Sequence, residues 1–257
     1  MTSASNGTVS SVLILGASGG IGSGLVDEVL TQNPQANIYR FARDLTKLKP
    51  IVENVHGQVV DFSWDLNAPN LFEEALDQIQ KNSNVAKLTF DMVFIATGFL
   101  HDETQQPEKS YKQLSADHLH RSFQLNAVGP IVMLQILLQR INLKHPCKIG
   151  VLSARVGSIS DNRMGGWHSY RASKAALNML LKNVAIELNR NKSQITLIGL
   201  QPGTTDTELS KPFTKRIDAS CLQTPEFTAH KLYKVLQNLT PHESGKLFDF
   251  NGETFEP

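Results

Sequence analysis

Apolar and polar positions follow two different periods along the chain, which indicates strands and helices in regular succession. Short apolar runs rich in β-branched residues are separated by longer segments in which apolar residues recur at helical spacing. The runs predict strands near residues 11–15, 37–41, 57–61, 90–96, 147–153, 195–200 and 246–250. The longer segments predict helices near residues 20–32, 68–82, 116–140, 167–190 and 224–238.

Strands that alternate with helices predict an α/β fold built on one doubly wound, mostly parallel sheet of seven strands. At 257 residues the chain suits one large domain, and no linker divides it. We therefore expect a single domain over residues 11–257, preceded by a flexible N-terminal segment of small and polar residues, 1–10. In such a sheet the ligand crevice lies at the carboxyl ends of the strands, so residues at those ends are the functional candidates.

The first predicted strand runs directly into a glycine-rich turn that opens the first helix. Glycines let the chain turn sharply and let backbone N–H groups approach a pyrophosphate, whose charge the helix N-terminus favours. Gly16, Gly20 and Gly22 fit one dinucleotide fingerprint, while Gly16, Gly19 and Gly22 fit another that longer sugar-nucleotide enzymes use. Chain length favours the first. The candidate cofactor-binding residues of the turn are Gly16, Ser18, Gly19, Gly20, Ile21 and Gly22.

The residues after the second strand bear on the choice between NAD and NADP. An enzyme that selects NAD is expected to place an acid there for the ribose hydroxyls, but Ala42 holds that position and Arg43 follows it. An arginine can neutralise the 2′-phosphate of NADP, so NADP(H) is favoured and NAD(H) stays possible. A solvated arginine at a helix start is the alternative. Asp65, after the third strand, is expected to cap the next helix.

Tyr170 and Lys174 lie four residues apart in a segment of helical periodicity, which puts both side chains on one face. A tyrosine that acts as an acid/base near neutrality must lose roughly three pKa units, or about 4 kcal/mol. A lysine cation about 4 Å away at an effective dielectric of about 20 supplies that amount. The pair alone equally fits an exposed aromatic beside a solvated charge. It becomes a catalytic hypothesis because the glycine turn and a serine at a strand end, Ser153, accompany it.

Over nearly its whole length the chain resembles the short-chain dehydrogenase/reductase family. The residues that carry the resemblance are the glycine turn, Asn126, Ser153, the pair Tyr170 and Lys174, and Pro202-Gly203. Leu-Ser-Ala-Arg-Val-Gly-Ser-Ile (152–159) and Tyr-Arg-Ala-Ser-Lys-Ala-Ala-Leu-Asn (170–178) are most similar to the C-factor and sniffer-like carbonyl reductase branch. The resemblance implies a Rossmann fold, an NAD(P) cofactor and a homodimer or homotetramer.

The resemblance also implies roles for individual residues. Tyr170 would donate a proton to a carbonyl oxygen while the nicotinamide gives hydride to the carbon, and Lys174 would lower the tyrosine pKa and hold the nicotinamide ribose. Asn126 would orient a water beside the lysine, although a helix asparagine satisfied by backbone is the alternative. The loop 202–207 would seat the carboxamide. The further implied cofactor contacts are Asp65, Thr97, Gly98, Pro202, Gly203, Thr205 and Thr207.

Two positions depart from the family pattern. The family serine that steadies the substrate oxygen is the second of a Ser-Ser pair, and here the pair is Ser153-Ala154. Ser153 and Ser158 are the candidate replacements; loss of one oxyanion donor costs about 10²–10³ in rate. After the fourth strand, Ala96-Thr97-Gly98 stands where the family often has asparagines, and Thr97 is the candidate to replace them.

Composition disfavours several partners. The chain carries 25 basic and 24 acidic residues, without a basic run interleaved with aromatics, so no nucleic-acid partner is expected. Cys147 and Cys221 have no metal-ligand spacing and suggest reduced thiols in a cytoplasmic protein without a metal. No apolar run approaches eighteen residues, so neither a signal sequence nor a membrane span is expected.

These features predict an NADPH-preferring oxidoreductase that interconverts a carbonyl and a secondary alcohol, with Tyr170 as acid/base. One alternative is a catalytically weak, cofactor-binding regulatory or signalling protein that acts through a protein partner. This alternative stays open because Ala154 stands where the family has its substrate-binding serine. An isomerase or dehydratase of the longer sugar-nucleotide branch is disfavoured by the short C-terminal region. Substrate specificity is expected to reside in segments 99–114, 155–169 and 205–223, the first containing a candidate mobile flap at 101–112.

Overall fold

A computed structural model describes residues 9–51, 55–216, 218 and 221–257, so all but two residues of the predicted N-terminal segment lie outside it. Its strands are β1 (Ser11–Leu15), β2 (Asn37–Ala42), β3 (Val59–Ser63), β4 (Met92–Ile95), β5 (Cys147–Leu152), β6 (Ile195–Gln201) and β7 (Leu247–Asp249). Its α-helices are α1 (Gly20–Gln32), α2 (Pro69–Ser83), α3 (Ala116–Phe123), α4 (Gly129–Arg140), α5 (His168–Arg190) and α6 (Pro225–Asn238).

The described strands form one parallel sheet in the order β3-β2-β1-β4-β5-β6-β7. The chain leaves β1 through β2 and β3 on one side and returns to build β4 to β7 on the other. The strand order therefore reverses between β1 and β4, and a crevice opens beyond their carboxyl ends. The predicted doubly wound, seven-stranded Rossmann fold is confirmed.

Helices cover both faces of the sheet, which is why its strands are nearly continuous apolar runs. Leu13 and Leu15 of β1 pack in the core layer that includes Leu177 of α5. Val12 and Ile14, which alternate with them, pack in the opposite layer with residues of α1 and α6. This alternation fixes α5 on one face of the sheet and α1 on the other, so that both helices begin beside the same crevice.

The predicted helix 116–140 contains a short π-helical segment, Gln124–Val128, between α3 and α4. Pro130 lacks an N–H, so it cannot donate to the carbonyl of Asn126 four residues earlier. The N–H of Gly129 instead donates to the carbonyl of Gln124. The bulge accompanies the complete burial of Asn126. Among the described residues this stretch alone is long and apolar enough to cross a membrane; half of its apolar window is buried, as in a core helix.

The third strand begins two residues later than predicted because of Gly57. A Cβ at Gly57 would lie 2.1 Å from the carbonyl oxygen of Ala36, so the chain crosses the preceding turn there. The N–H groups of His56 and Gly57 donate to the carbonyl of Pro34 at 2.8 and 3.2 Å. Regular pairing with β2 starts only at Val59, opposite Ile38.

The segment proposed as a mobile flap is tied to α3 by hydrogen bonds. The carboxylate of Asp102 accepts from the N–H groups of Thr104 and Gln105 at 2.9 and 3.0 Å and pairs with Arg121 of α3. The side chain of Gln105 donates to Ser122 Oγ at 3.0 Å. The segment is therefore a loop anchored to α3, and we call it the anchored loop.

One ion pair links the two strands at the β2–β3 edge of the sheet. Arg40 of β2 donates to both carboxylate oxygens of Asp61 on β3 at 2.7 Å and to the carbonyl of Lys49 at 2.8 Å. The side chain of Arg40 is only 6% exposed, whereas that of Asp61 is 34% exposed. The pair holds the strand that leads to Arg43.

We expect the substitution Asp61→Asn to lower the free energy of unfolding by about 2–3 kcal/mol, because it leaves a buried guanidinium without its charge partner. Chemical denaturation at neutral pH would measure the loss. The matched control is Asp77→Asn, since the side chain of Asp77 is 58% exposed in its pair with Arg140 and the change should cost below about 1 kcal/mol. Equal losses in the two variants would contradict this account.

Candidate functional site

Two neighbouring pockets occupy the crevice at the carboxyl ends of the strands. The first, of about 210 Å³, is lined by the glycine turn and by the segments after β2, β3 and β4, including Arg43, Asp65, Thr97 and Gly98. The second, of about 440 Å³, contains the predicted catalytic tyrosine and the loop after β6. Its lining includes Ile21, Leu100, Ser153, Ala154, Arg155, Val156, Trp167, Tyr170, Pro202, Gly203, Thr205, Thr207, Leu209 and Phe213.

Close backbone packing explains three of the glycines in the turn. A Cβ at Gly16, whose φ is +86°, would lie 2.6 Å from the carbonyl oxygen of Ala96. A Cβ at Gly22 would lie 2.1 Å from the carbonyl oxygen of Gly16, and one at Gly20 would lie 2.7 Å from Cγ2 of Thr207. A Cβ at Gly19 would meet only the Gly16 oxygen, at 3.4 Å. Packing within the protein thus requires Gly16, Gly20 and Gly22, while Gly19 faces the pocket that it lines.

The start of α1 is open to an anion. Its N-cap, Gly19, offers no side-chain hydrogen bond, and the first turn of any α-helix has N–H groups without an intrahelical acceptor. Ser18 and Gly19 line the same pocket as Arg43, which is exposed. β2 ends at the buried Ala42, with no acid at that position. The pocket therefore combines free backbone donors with a cation.

Asp65 and Thr97 lie on the wall of this first pocket. The prediction that Asp65 caps α2 is wrong. The N-cap residue is Ala68, and its side chain makes no hydrogen bond to that helix start. Asp65 Oδ1 instead accepts from the N–H of Asn67 at 2.7 Å, which closes a tight turn before the helix. Thr97 Oγ1 is buried without a hydrogen-bond partner, so a polar atom is available to a ligand.

Asn126 joins the end of β4 to α5. Its Oδ1 accepts from the N–H of Phe99 at 2.8 Å, and its Nδ2 donates to the Phe99 carbonyl at 2.8 Å and to Ser173 Oγ at 3.1 Å. These bonds use both amide protons, so the side chain is satisfied within the protein. Its main-chain carbonyl cannot accept from residue 130, because Pro130 has no N–H.

Lys174 is buried, and its Nζ donates to the carbonyl of Leu152 at 2.9 Å. Nζ lies 5.9 Å from the ring centroid of Tyr170. Burial lowers the pKa of Lys174 to about 8 and raises the pKa of Tyr170 to about 12. In the protein alone, desolvation therefore outweighs the attraction of the lysine, and the expected lowering of the tyrosine pKa is not found. At neutral pH the phenol is protonated and the amine is mostly charged.

The two candidate serines lie in different places. Ser153 lines the pocket of Tyr170, and its Oγ donates to Oδ1 of Asn178 at 2.5 Å. Ser158 Oγ accepts from the N–H of Asp161 at 3.2 Å and lines a separate shallow pocket. The structure thus brings Ser153, but not Ser158, to the pocket of Tyr170, where Ala154 also lies.

The loop after β6 completes the second pocket. Gly203 has a φ of +75°, and a Cβ there would lie 2.6 Å from Nε2 of Gln223. The hydroxyl of Thr205 is buried and lies 2.9 Å from that of Thr228, so it is engaged with α6. Thr207 packs against Gly20 and lines the pocket with Pro202. Of the two predicted hydroxyl contacts, Thr207 is therefore the one at the junction of the pockets.

An aromatic wall faces Tyr170, and Phe213 was not among the predicted site residues. The Trp167 ring makes edge contacts with Tyr170 at 6.3 Å and with Phe213 at 5.1 Å between centroids. His101 makes an edge contact with Phe213 at 5.3 Å. Phe213 lies in the irregular segment 205–223, where no periodic pattern marks its partner, so the sequence offers no signal for this contact.

Comparison with known proteins matches the chain to a family. The sequence profile described as short chain dehydrogenase matches residues 10–218. A 1-hydroxy-2-glutathionyl-2-methyl-3-butene dehydrogenase of Rhodococcus sp. (strain AD45) is 36% identical over 142 residues, which cover 55% of this chain and 59% of that protein. The C-signal protein of Myxococcus xanthus is 32% identical over 132 residues, covering 51% of this chain and 74% of that protein. The Rhodococcus match thus spans less than two thirds of its relative.

Solved structures share the fold over nearly the whole chain. The NADPH-bound carbonyl reductase from chicken fatty liver has a TM-score of 0.79 and 23% identity, covering 97% of this chain and 99% of that one. The carbonyl reductase Sniffer of D. melanogaster has a TM-score of 0.78 and 21% identity, covering 97% and 100%. The C-signal match supports the predicted C-factor-like branch, and the Sniffer structure shares the fold. The profile covers most of the chain, and the protein therefore belongs to the short-chain dehydrogenase/reductase family of oxidoreductases.

Proposed function

We propose that this oxidoreductase is an NADPH-preferring carbonyl reductase in which Tyr170 is the acid/base. One observation carries the proposal: Tyr170 shares a pocket with Ile21 of the glycine turn and with Thr207, which packs on Gly20. A group held by the glycine turn would therefore reach the tyrosine without any rearrangement of the sheet. In the direction of reduction, Tyr170 would supply the proton to the substrate oxygen.

The residues of the first pocket fit a nicotinamide dinucleotide. Gly16 and Gly22 leave backbone where side chains would clash, α1 has no side-chain cap, and Thr97 Oγ1 is a buried atom without a partner. Arg43 would pair with a 2′-phosphate. When bound, the cofactor supplies or accepts the hydride. The other proposed contacts are Ser18, Gly19, Gly20, Ile21, Asp65, Gly98, Pro202, Gly203, Thr205 and Thr207.

The remaining chemistry belongs to side chains of α5 and its neighbours. Tyr170 would give its proton to the carbonyl oxygen, and the phenolate that results would be stabilised by the buried cation of Lys174. Lys174 is fixed by its bond to the Leu152 carbonyl, so its charge is already in place before proton transfer. A water on the Asn126 carbonyl would return the proton from solvent. Ser153 is the proposed additional donor to the substrate oxygen.

The second pocket indicates the kind of carbonyl compound that fits. Its walls are formed largely by apolar and aromatic side chains, with the partly exposed Arg155 as a charged lining residue. These walls favour a substrate with an apolar or aromatic body, since ring edges and faces pack well against Trp167 and Phe213. The apolar side chains are Ile21, Leu100, Val156, Trp167, Leu209 and Phe213.

For assembly we propose a homodimer or homotetramer. Met179 and Ile186 of α5 are 61% and 42% exposed, and a second copy would cover such apolar side chains. Sedimentation of the purified protein tests this, since a monomer at micromolar concentration would contradict it.

A second candidate function is a nucleotide-binding regulatory protein that acts through a protein partner. The observation that favours it is Ala154 in the place of a substrate-binding serine, together with the bond that takes the Ser153 proton to Asn178. Tight NADPH binding without turnover of any carbonyl would support this candidate. Turnover that requires Tyr170 would exclude it.

Gly22→Ala should weaken NADPH binding about 10–100-fold, because the added methyl group overpacks the turn against the Gly16 carbonyl at a cost of about 1–3 kcal/mol. Titration with NADPH, followed by nicotinamide fluorescence, measures the change. Gly57→Ala is the matched control: a Cβ there would also lie 2.1 Å from a main-chain oxygen, that of Ala36, but Gly57 lines neither pocket, so the Kd should stay within about threefold. An equal loss in Gly57→Ala would show that overpacking anywhere in the fold weakens binding and would contradict the role of the glycine turn.

Arg43→Ala should raise the Kd for NADPH about 10–100-fold, because it removes a charge-assisted contact to the 2′-phosphate worth about 1.5–3 kcal/mol. NADH lacks that phosphate, so its Kd serves as the internal control and should hardly change. The same fluorescence titration measures both. Equal loss for the two cofactors, or tighter binding of NADH by the unaltered protein, would discard the preference for NADPH.

Tyr170→Phe should lower kcat for carbonyl reduction by about 10²–10⁴-fold, since it removes the proton donor but leaves the ring packed against Trp167. The Kd for NADPH should stay within about twofold, because the nucleotide contacts are made elsewhere. Tyr111→Phe, at a side chain that is 70% exposed, is the control and should be silent. Unchanged turnover in Tyr170→Phe would refute the mechanism.

The rate of reduction should fall as the pH rises above about 8, the value to which burial lowers the pKa of Lys174. A lysine that has lost its proton no longer stabilises the phenolate, whereas Tyr170, with a pKa of about 12, stays protonated throughout. Measurement of kcat at saturating NADPH across this range checks the sign. A rate that rises with pH above 8 would contradict the assignment of Lys174.

A further inference from the structure

The helix that carries Tyr170 lacks a cap of its own. α5 begins at His168, and its N-cap residue, Trp167, makes no side-chain hydrogen bond to the helix. Gly165, Gly166 and Trp167 all have positive φ, at 64°, 67° and 49°. Tyr170 is the third residue of the helix, in the turn whose N–H groups have no intrahelical acceptor. Its position therefore depends on whatever holds this start.

A glutamate from the anchored loop supplies the missing cap. Glu108 lies 61 residues upstream of Ser169, and its Oε2 accepts from the Ser169 N–H at 3.2 Å while its Oε1 accepts from the Ser169 hydroxyl. The main-chain carbonyl of Glu108 accepts from the N–H of Trp167 at 2.5 Å. Three hydrogen bonds thus join one residue of the loop to both sides of the helix start.

The charge of Glu108 suits this position. Glu108 is only 1% exposed, and it belongs to none of the ion pairs found among the described residues. A carboxylate is favoured at a helix N-terminus, where the helix dipole is positive. Burial alone would raise the pKa of Glu108, but the hydrogen bonds from Ser169 hold it below its usual value. Glu108 is therefore an anion at neutral pH and accepts with both oxygens.

The same start holds a wall of the substrate pocket. Trp167 lines that pocket and makes its edge contact with Tyr170 only three residues away. Nε of Arg171 donates to the carbonyl of Gly166 at 3.0 Å, which braces the left-handed turn from the helix side. A shift of the helix start would therefore move the proton donor and the aromatic wall together.

We propose that Glu108 is a positioning residue for the reaction, because it holds the first turn of α5, and with it Tyr170 and Trp167, in the geometry that the substrate requires. The inference rests on the proposed carbonyl reduction. Glu108 lies away from the glycine turn and Arg43, so its effect falls on proton transfer and substrate placement and not on nucleotide binding. The loop and the catalytic helix then act as one unit.

Four variants test this proposal. Glu108→Ala should lower kcat about 10–100-fold, the loss expected when a reacting group is displaced by about 1 Å. Ser169→Ala removes one of the three bonds and should give a smaller loss, and the double variant should lose less than the product of the two single losses. Glu108→Gln keeps an acceptor oxygen and should fall between Glu108→Ala and the unaltered protein. In all four the Kd for NADPH should stay within about twofold.

The matched control is Glu103→Ala. Glu103 is a second carboxylate of the same loop, but its side chain is exposed. If Glu108 acts through α5, Glu103→Ala should leave kcat within about threefold of the unaltered protein. A loss in Glu103→Ala as large as that in Glu108→Ala would show that any change in the loop has this effect and would overturn the proposal.

Hydrogen exchange separates this proposal from the proposed function. Glu108→Ala should speed amide exchange in the first turn of α5, where the Ser169 N–H loses its acceptor, while Glu103→Ala should not. If the unaltered protein binds NADPH but reduces no carbonyl, the proposed function fails while the exchange still reports on the cap. Unchanged exchange at Ser169 in Glu108→Ala would refute the positioning role, whatever the turnover.

Discussion

A buried lysine joins the catalytic helix to the end of the central sheet, and the rest of the site depends on that contact. The Nζ of Lys174 donates to the carbonyl of Leu152, the last residue of β5, and both groups are largely excluded from water. Burying an ammonium is costly, which is why its pKa falls to about 8. The contact fixes α5 against the strand, places Tyr170 one helical turn earlier over the crevice, and sets a cation beside the phenol before any substrate arrives.

Close packing at glycines brings α5 and β5 near the glycine turn after β1. A Cβ at Gly157 would lie 2.8 Å from Cβ of Lys174, so the turn after β5 approaches α5 only because it carries no side chain there. Gly16 likewise allows the end of β1 to approach Ala96 after β4, and Gly20 allows the start of α1 to approach Thr207 in the loop after β6. The site is thus assembled at contacts that any larger residue would force apart, and its tolerance to substitution should be lowest at these glycines.

The sequence predicts those parts of the structure that depend on local periodicity. The bounds of β1 and α1 and the end of α4 follow from the spacing of apolar residues, whereas the division of the predicted helix 116–140 into α3, a π-helical segment and α4 does not. The glycine turn follows from its place between a strand and a helix. Contacts between distant segments were not predictable in this way. Glu108 reaches a helix start 61 residues later, and Ser158 turns toward Asp161 because of the local 3₁₀ turn at Arg155–Gly157. The tyrosine pKa was misjudged because spacing on a helix does not reveal how deeply the pair is buried.

The most direct test of the account is the transfer of label from NADPH that carries deuterium at the reactive carbon of the nicotinamide. The account predicts that the purified protein moves the label to the carbinol carbon of an aromatic alcohol formed from its ketone, and that Tyr170→Phe binds the labelled cofactor but transfers almost none. Tight binding of the cofactor without label transfer to any carbonyl compound, or transfer that persists in Tyr170→Phe, would contradict the claim that α5 supplies the proton.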